Sequence, residues 1–412
     1  MVRLVHFEFR KHFWKKSIVI GLVLFTLFNV AKIYSVYSSK SLLSESQTSS
    51  AWKGLYWQMY ETFGGEITAE KIKALMKIYE PLELATADLT ASTRSDNPDT
   101  YTGNVYEDYH FFAWCYVNPM KYAYMYKQMA DDIVKAAKNN MTFYQRVGNP
   151  YAYEMNADLA SRFAGREIPS FSYTEMFQYY VHYDFSVFLL LLLCMYSLMH
   201  VFVSEKETEM DALLMTTKAG GVKSTLAKLL AAILFIIALS GWFWIVDFIA
   251  FSFFFGSWEA FTTPVYALEN FVNASIGSSL GQYALLSAAV KTMGMIVAGL
   301  LFLVISSRCK NALLPFIISL TSAFGLIYAQ EAMLGSGYVG LKVMNPFILL
   351  VNRELFRKTE YVNWFDQPLI SYIPAFLLAA AYAAGCIALM FLAARKNRLR
   401  SRGGSKHAGL PL

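Results

Sequence analysis

VFVSEKETEMDALLMTTKAGG, Val201–Gly221, is a charged interruption between two apolar runs, and its reading decides the architecture of the whole chain. Glu205, Glu207, Glu209 and Asp211 crowd its first half, with Lys206 and Lys218 beside them, while the runs on either side carry almost no charge. A polar link between two such segments reads as the water-facing turn of a membrane protein whose spans are helices. Ser204-Glu-Lys-Glu207 has the S-x-x-E form of a capping box, which satisfies free backbone donors at a helix start. The clustered acids suit the positive end of a helix dipole, Lys218 suits the other end, and Gly220-Gly221 supplies a stop with positive φ. Met210, Leu213, Leu214 and Thr217 fall at i, i+3, i+4 and i+7, on one face. The expectation is an amphipathic helix over 204–219, tethered to a span at each end. Ser204 to Thr225 is net acidic, so this helix fits a groove on a protein better than an anionic lipid surface.

Working outward, the composition agrees. Of 412 residues, 56% are hydrophobic and only 16% are charged, and the mean hydropathy is positive. Runs of about 20 apolar residues, enough to cross a hydrocarbon core, occur at 17–37, 184–203, 226–251, 283–306, 311–329 and 372–394. The first is longer than the apolar core of a secretory signal and no small-x-small cleavage site follows, so it is read as retained. The expected fold class is an all-α polytopic membrane protein with six transmembrane helices.

Basic residues set the orientation. Arg3, Arg10, Lys11, Lys15 and Lys16 precede the first span, Arg308 and Lys310 join the fourth to the fifth, and Arg395, Lys396, Arg398, Arg400, Arg402 and Lys406 follow the sixth. Six alternating spans put all of these on one side, so both termini are expected in the cytoplasm. The net charge of +6 is then mostly this bias rather than a nucleic-acid surface. Cys115 is alone among the expected outer residues, which leaves no outer disulfide to form. The six histidines are scattered, with no CxxC or HxxxH, and no metal site is expected.

Residues 1–16 place Val2, Val5, Phe9 and Phe13 at near-helical spacing among basic residues, as in a helix lying in the membrane interface, with an ordinary positive flank that stops the first span sliding as the other reading. Residues 38–183 form a large outer domain, expected to be mostly helical over 68–79, 119–140 and 150–164, and rich in tyrosine and tryptophan. A second outer segment covers 330–370. There Asn345-Pro346 breaks the chain before PFILLVNRELF, which is too short to span and reads as a half-buried or re-entrant helical hairpin at the outer face. Residues 395–412 are a basic tail. Three charges fall inside spans, Lys32, Asp247 and Lys291, and the helical rise brings all three to about 25 Å from the inner boundary. Two readings stay open for them: Asp247 pairs with Lys291 or Lys32, or each snorkels to the interface by itself.

The order of these features resembles the permease subunits of bacterial ATP-binding cassette exporters of the second type, with the type V exporter fold. Six spans, an elbow helix before the first, a coupling helix between the second and third and an outer hairpin between the fifth and sixth all follow that plan. FVSEKETEMDALLMTTKAG resembles the segment after span 2 in such permeases, where an E-K-E triplet precedes an x-D-x-L-L-x-T-[TS]-x-x-[GR] run. The outer domain is large for the simplest members. The resemblance implies that Glu205, Lys206, Glu207, Met210, Asp211, Leu213, Leu214, Thr217 and Lys218 dock into a groove on a separate nucleotide-binding subunit, which binds ATP and magnesium. It also implies a second permease, identical or related, and export of an amphipathic substrate such as a peptide or lipid-like compound across a bacterial plasma membrane. No cofactor is expected in this chain: GGVKS, Gly220–Ser224, lacks the upstream glycine of a phosphate loop. Two other classes remain as alternatives, a sensor that binds an outer peptide and an intramembrane enzyme. For the latter, Ser186, Ser197, His182 and His200 surround the second span, but neither HExxH nor paired aspartates at membrane depth occur.

Overall fold

The computed structural model describes residues 1–44, 51–87, 101–208, 210, 220–256, 258–311, 313–334 and 338–404. Six helices are long and apolar enough to cross a membrane: Lys16–Lys40, Phe185–Glu207, Val222–Phe255, Leu280–Arg308, Leu313–Gln330 and Tyr372–Arg395. They coincide with the six runs read from hydropathy. The elements are α1 (Val2–His12), α2 (Lys16–Lys40), α3 (Ala51–Phe63), α4 (Ala69–Ala87), α5 (Val105–Phe112), α6 (Asn118–Val147), α7 (Pro150–Phe163) and α8 (Glu175–Tyr180). Then come α9 (Phe185–Leu198), α10 (His200–Glu207), α11 (Val222–Phe255), α12 (Leu280–Arg308), α13 (Leu313–Leu334), α14 (Val339–Met344), α15 (Arg353–Phe356) and α16 (Tyr372–Gly404).

The six apolar helices differ in how much of their surface the rest of the chain covers. The second is the hub, with 72% of its apolar window buried, whereas the first and last have 17% each. On α2, Val19, Ile20, Val23, Leu24, Leu27 and Phe28 all stand exposed, and on α11 so do Leu234, Ile245, Ile249 and Phe253. A continuous apolar exterior of this kind is costly in water and matches hydrocarbon. Inside, Leu190, Cys194, Leu198, Ile236, Phe243, Phe302 and Leu303 form one core. Small residues let helices approach: a Cβ on Gly299 of α12 would lie 2.4 Å from Ile236 Cδ1 of α11.

A second core lies among described residues between Leu43 and Tyr173. Trp52, Tyr56, Phe63, Phe111, Phe112, Tyr116, Phe171 and Tyr173 pack together, and the Tyr116 hydroxyl donates to the Tyr56 carbonyl at 2.5 Å. A two-stranded antiparallel ribbon, β1 (Gly65–Glu66) with β2 (Ser170–Phe171), closes it. The helices expected at 68–79, 119–140 and 150–164 are present; the first two run on to Ala87 and Val147, α4 through Pro81, and the third ends at Phe163. Gly148, at φ 73°, ends α6 in the left-handed region, and Asn149 caps α7 by accepting from Ala152 N. The resulting α6–α7 hairpin docks on the link between the third and fourth apolar helices. Tyr126 stacks on Tyr266 at 4.7 Å, and Arg166 Nη1 donates to the Ala274 carbonyl at 2.9 Å.

The segment after α13 departs from the expected helical hairpin. Pro346–Leu349 is a 3-10 turn, α15 is a single turn, and β3 (Tyr361–Trp364) pairs with β4 (Gln367–Ile370) in a β-hairpin. Phe365 and Asp366 occupy its two-residue turn with φ of 52° and 60°, the geometry that matches strand twist. The reason is local: Tyr361, Val362 and Trp364 are strand formers. The apolar half, Phe347–Leu350, is buried because Gly294 of α12 lets the turn approach; a Cβ there would lie 3.0 Å from Leu349 Cβ.

Candidate functional site

The residues singled out in the opening stretch divide in two. Glu205, Lys206, Glu207 and Met210 are described, while Asp211, Leu213, Leu214, Thr217 and Lys218 lie outside the described residues. Ser204 does not start a helix as the capping-box reading expects. It sits inside α10, which continues the second apolar helix past a break at Met199 and ends at Glu207, with Thr208 at its C-cap. Glu205 and Glu207 therefore lie in the last turn of a helix, and Glu205 serves partners distant in sequence. Gly221 does adopt positive φ, 70°, but as the N-cap of α11.

Glu205 is the knot of this end of the bundle. One carboxylate oxygen takes Lys11 Nζ of α1 at 2.8 Å and the other takes Lys228 Nζ of α11. The side chains of Glu205 and Lys228 are buried, at 9% and 4% exposure, whereas Lys11 is 35% exposed. The neighbouring Lys206 Nζ donates to the carbonyls of Ser307, at 2.5 Å, and Cys309, at 2.9 Å, where α12 ends. Two consecutive residues thus bind the foot of the second apolar helix to α1, α11 and α12. Stacking reinforces one of these joints: Phe13 lies on Phe235 of α11 at 4.3 Å between centroids.

The buried face of α1 carries more than the apolar residues expected of it. Val2 is 83% exposed, while Glu8 and His12 turn inward at 4% and 3% exposure. His12 Nε2 lies 3.2 Å from a Glu8 carboxylate oxygen. Burial lowers the His12 pKa below its ordinary value, against the opposing pull of Glu8. Glu8, His12 and Glu205 bring three ligand-type atoms within 4.8 Å of one another. With both Glu205 oxygens taken by lysine, the positive charge there comes from the chain itself.

The charges inside the apolar helices meet other partners than those expected. Asp247 of α11 accepts from Asn29 Nδ2 of α2 at 2.5 Å, and the Tyr183 hydroxyl donates to Asn29 Oδ1 at 2.8 Å. Lys291 of α12 reaches the Tyr183 carbonyl at 3.2 Å and Asp184 at 3.3 Å, and Arg353 joins the same carboxylate. Lys32 is exposed, one turn beyond Asn29. Among the described residues Asp247 makes no ion pair with either lysine. Asn29 supplies the hydrogen bond instead and Asp184, at the mouth of α9, takes Lys291.

Among the described residues no hydrogen bond joins the hydroxyls and imidazoles around the second apolar helix to one another. Ser197 donates to the Leu193 carbonyl, and His200 and His182 contact the carbonyls of Tyr196 and Gln178, each four residues back. Gly277-Ser-Ser-Leu-Gly281 spells G-x-S-x-G, yet Ser279 there is the N-cap of α12, in a reciprocal capping box with Gln282. No protein-family model, curated protein or solved structure matches this chain.

Proposed function

We propose that this chain is the membrane-spanning permease subunit of an ATP-driven exporter, in which residues 204–221 carry work from a separate nucleotide-binding subunit into the bundle. The observation that carries the reading is the foot of the second apolar helix: Glu205 and Lys206 bond it to α1, α11 and α12. A push on the segment that follows Glu207 therefore moves four elements together rather than one loop. In this reading α1 is the elbow helix in the cytoplasmic interface, residues 38–183 are extracellular, and 330–370 form the outer hairpin. Both termini face the cytoplasm of a bacterial cell whose plasma membrane lipid surrounds the spans. The partner subunit supplies ATP and magnesium, and a second permease, the same chain or a related one, completes the pathway. The exported molecule is an amphiphile, of the kind an antimicrobial peptide or lipid-like compound represents.

The test is ATP hydrolysis by the purified assembly of this chain with its nucleotide-binding subunit. Leu213→Glu, on the expected docking face, abolishes hydrolysis that depends on this chain while leaving membrane insertion intact. Undiminished hydrolysis in that variant rejects the assignment.

A further inference from the structure

Beside the hub helix lies a cavity that transport by itself does not assign. It measures about 290 Å³ and is walled by α9, α13 and the buried 3-10 turn, with Phe188, Leu191, Phe324 and Phe347 among its lining. Phe188 and Phe324 meet edge to face at 5.8 Å on one wall. Gln330, at the end of α13, also lines it. Gln330 is 3% exposed, and among the described residues neither its amide nitrogen nor its amide oxygen has a hydrogen-bond partner. Leaving both ends of a buried amide unpaired is unfavourable, so such a group marks a place where something else completes the bonding.

The polarity of the cavity is graded along the helices. Asp184 and Arg353 line the end where α9 begins, and they are already neutralised, Asp184 by Lys291 and Arg353, and Arg353 in turn by Glu354. Leu191 lies seven residues along from Asp184 and Phe324 six residues before Gln330, so the apolar part extends about 10 Å from the polar end at 1.5 Å per residue. A charged head would have to break these ion pairs. An uncharged amide offers what the Gln330 amide lacks, one acceptor for its N–H and one donor for its carbonyl.

We infer that this cavity binds an amphiphile through an uncharged amide held by Gln330, with its apolar part between Phe188 and Phe324. As the capture site of the exported molecule it rests on the transport reading, whereas the binding itself does not. The amide can belong to a lipid-like acyl amide or to the backbone of an apolar peptide.

The experiment uses the full chain in phosphatidylcholine nanodiscs, without nucleotide or partner. N-octanoylglycinamide carrying a diazirine at its tail is photolysed, and labelled peptides are mapped by mass spectrometry. Label is expected on the peptides holding Leu191 and Phe324. Unlabelled N-octanoylglycinamide displaces it, and octanoate and octylammonium do so at least tenfold less well. Competition by acetyl-trileucine amide identifies the peptide source, and failure of that competitor the lipid source. Gln330→Leu lowers the labelling about tenfold, the scale of a lost buried hydrogen-bond pair, and melts at or above the wild-type temperature because an unpaired amide is gone. Leu191→Trp fills the cavity and abolishes labelling independently. Equal labelling in both variants, equal displacement by the charged competitors, or label spread over all six apolar helices overturns the site. Such a result with hydrolysis still dependent on Leu213 spares the transport reading, and specific labelling without that dependence spares the site.

Discussion

Removing the charge of Glu205 tests the joint at the foot of the second apolar helix. In Glu205→Gln, Lys228 stays at 4% side-chain exposure with no carboxylate, and a buried charge left unpaired costs about 3–5 kcal/mol. Lys11, at 35% exposure, turns to water and adds only about 0.2–1 kcal/mol. In Lys228→Met, Glu205 keeps Lys11, so the loss is nearer that of one charged hydrogen bond, about 1.5–3 kcal/mol. The double variant Glu205→Gln/Lys228→Met leaves no buried charge at this pair and recovers about 0.5–3 kcal/mol relative to the sum of the singles. Thermal unfolding in detergent, followed by tryptophan fluorescence, orders wild type, the double variant, the two singles and Lys11→Met. Wild type melts highest, then Lys11→Met, then Lys228→Met, then Glu205→Gln, with the double variant above Glu205→Gln. Equal melting of Lys11→Met and Glu205→Gln, or additive losses in the double variant, would refute the reasoning.

Other consequences follow from the same geometry. Burial holds the His12 pKa below its ordinary value, so folding favours the neutral imidazole. Its stabilising contribution is therefore complete above the ordinary histidine value of 6.5 and is lost as pH falls through the folded value, so the melting temperature drops on acidification below pH 6.5. His12→Phe flattens that slope in the same fluorescence assay. Exchanging Asp247 and Lys291 rescues nothing that either single reversal loses, since Asp247 bonds Asn29 and Lys291 bonds Asp184; recovery of melting temperature in the exchange would put the two in contact. Asn29→Leu leaves Asp247 short of a buried partner and costs about 1–3 kcal/mol, read as a lower melting temperature that Asp247→Leu partly restores. Gly294→Val forces a side chain against Leu349 and Leu350 and exposes the segment after α13 to proteolysis at lower temperature.

The six apolar helices were legible because hydropathy sums over some 20 residues and needs no partner. α6 and α7 were legible from period and from Asn149-Pro150, which starts the second of them. Glu205 was visible, but its role was not: Lys11 and Lys228 lie 194 and 23 residues away, and no local pattern encodes that pairing. The S-x-x-E string fitted a cap equally well, and only the continuation of α10 through Ser204 decides against it. Asn29 carries no charge to mark it inside a span; its signal is a lone asparagine in FTLFNVAKIY. Glu8 and His12 are four apart, a spacing that places both on one face of α1, and that face turns inward. Gln330 gave no signal beyond a polar residue at the end of an apolar run. The β-hairpin at 361–370 is written in the strand formers Tyr361, Val362 and Trp364, a stretch too short for its period to stand out beside the apolar run before it.

The most direct measurement of the central claim is the rate of ATP hydrolysis by the nucleotide-binding subunit alone, with this chain, and with this chain carrying Glu205→Gln. Coupling through the foot of the second apolar helix predicts hydrolysis stimulated by the wild-type chain and sharply reduced by Glu205→Gln at a temperature where both remain folded. A rate that ignores the chain, or one that Glu205→Gln leaves unchanged while Leu213→Glu leaves it unchanged as well, would contradict it.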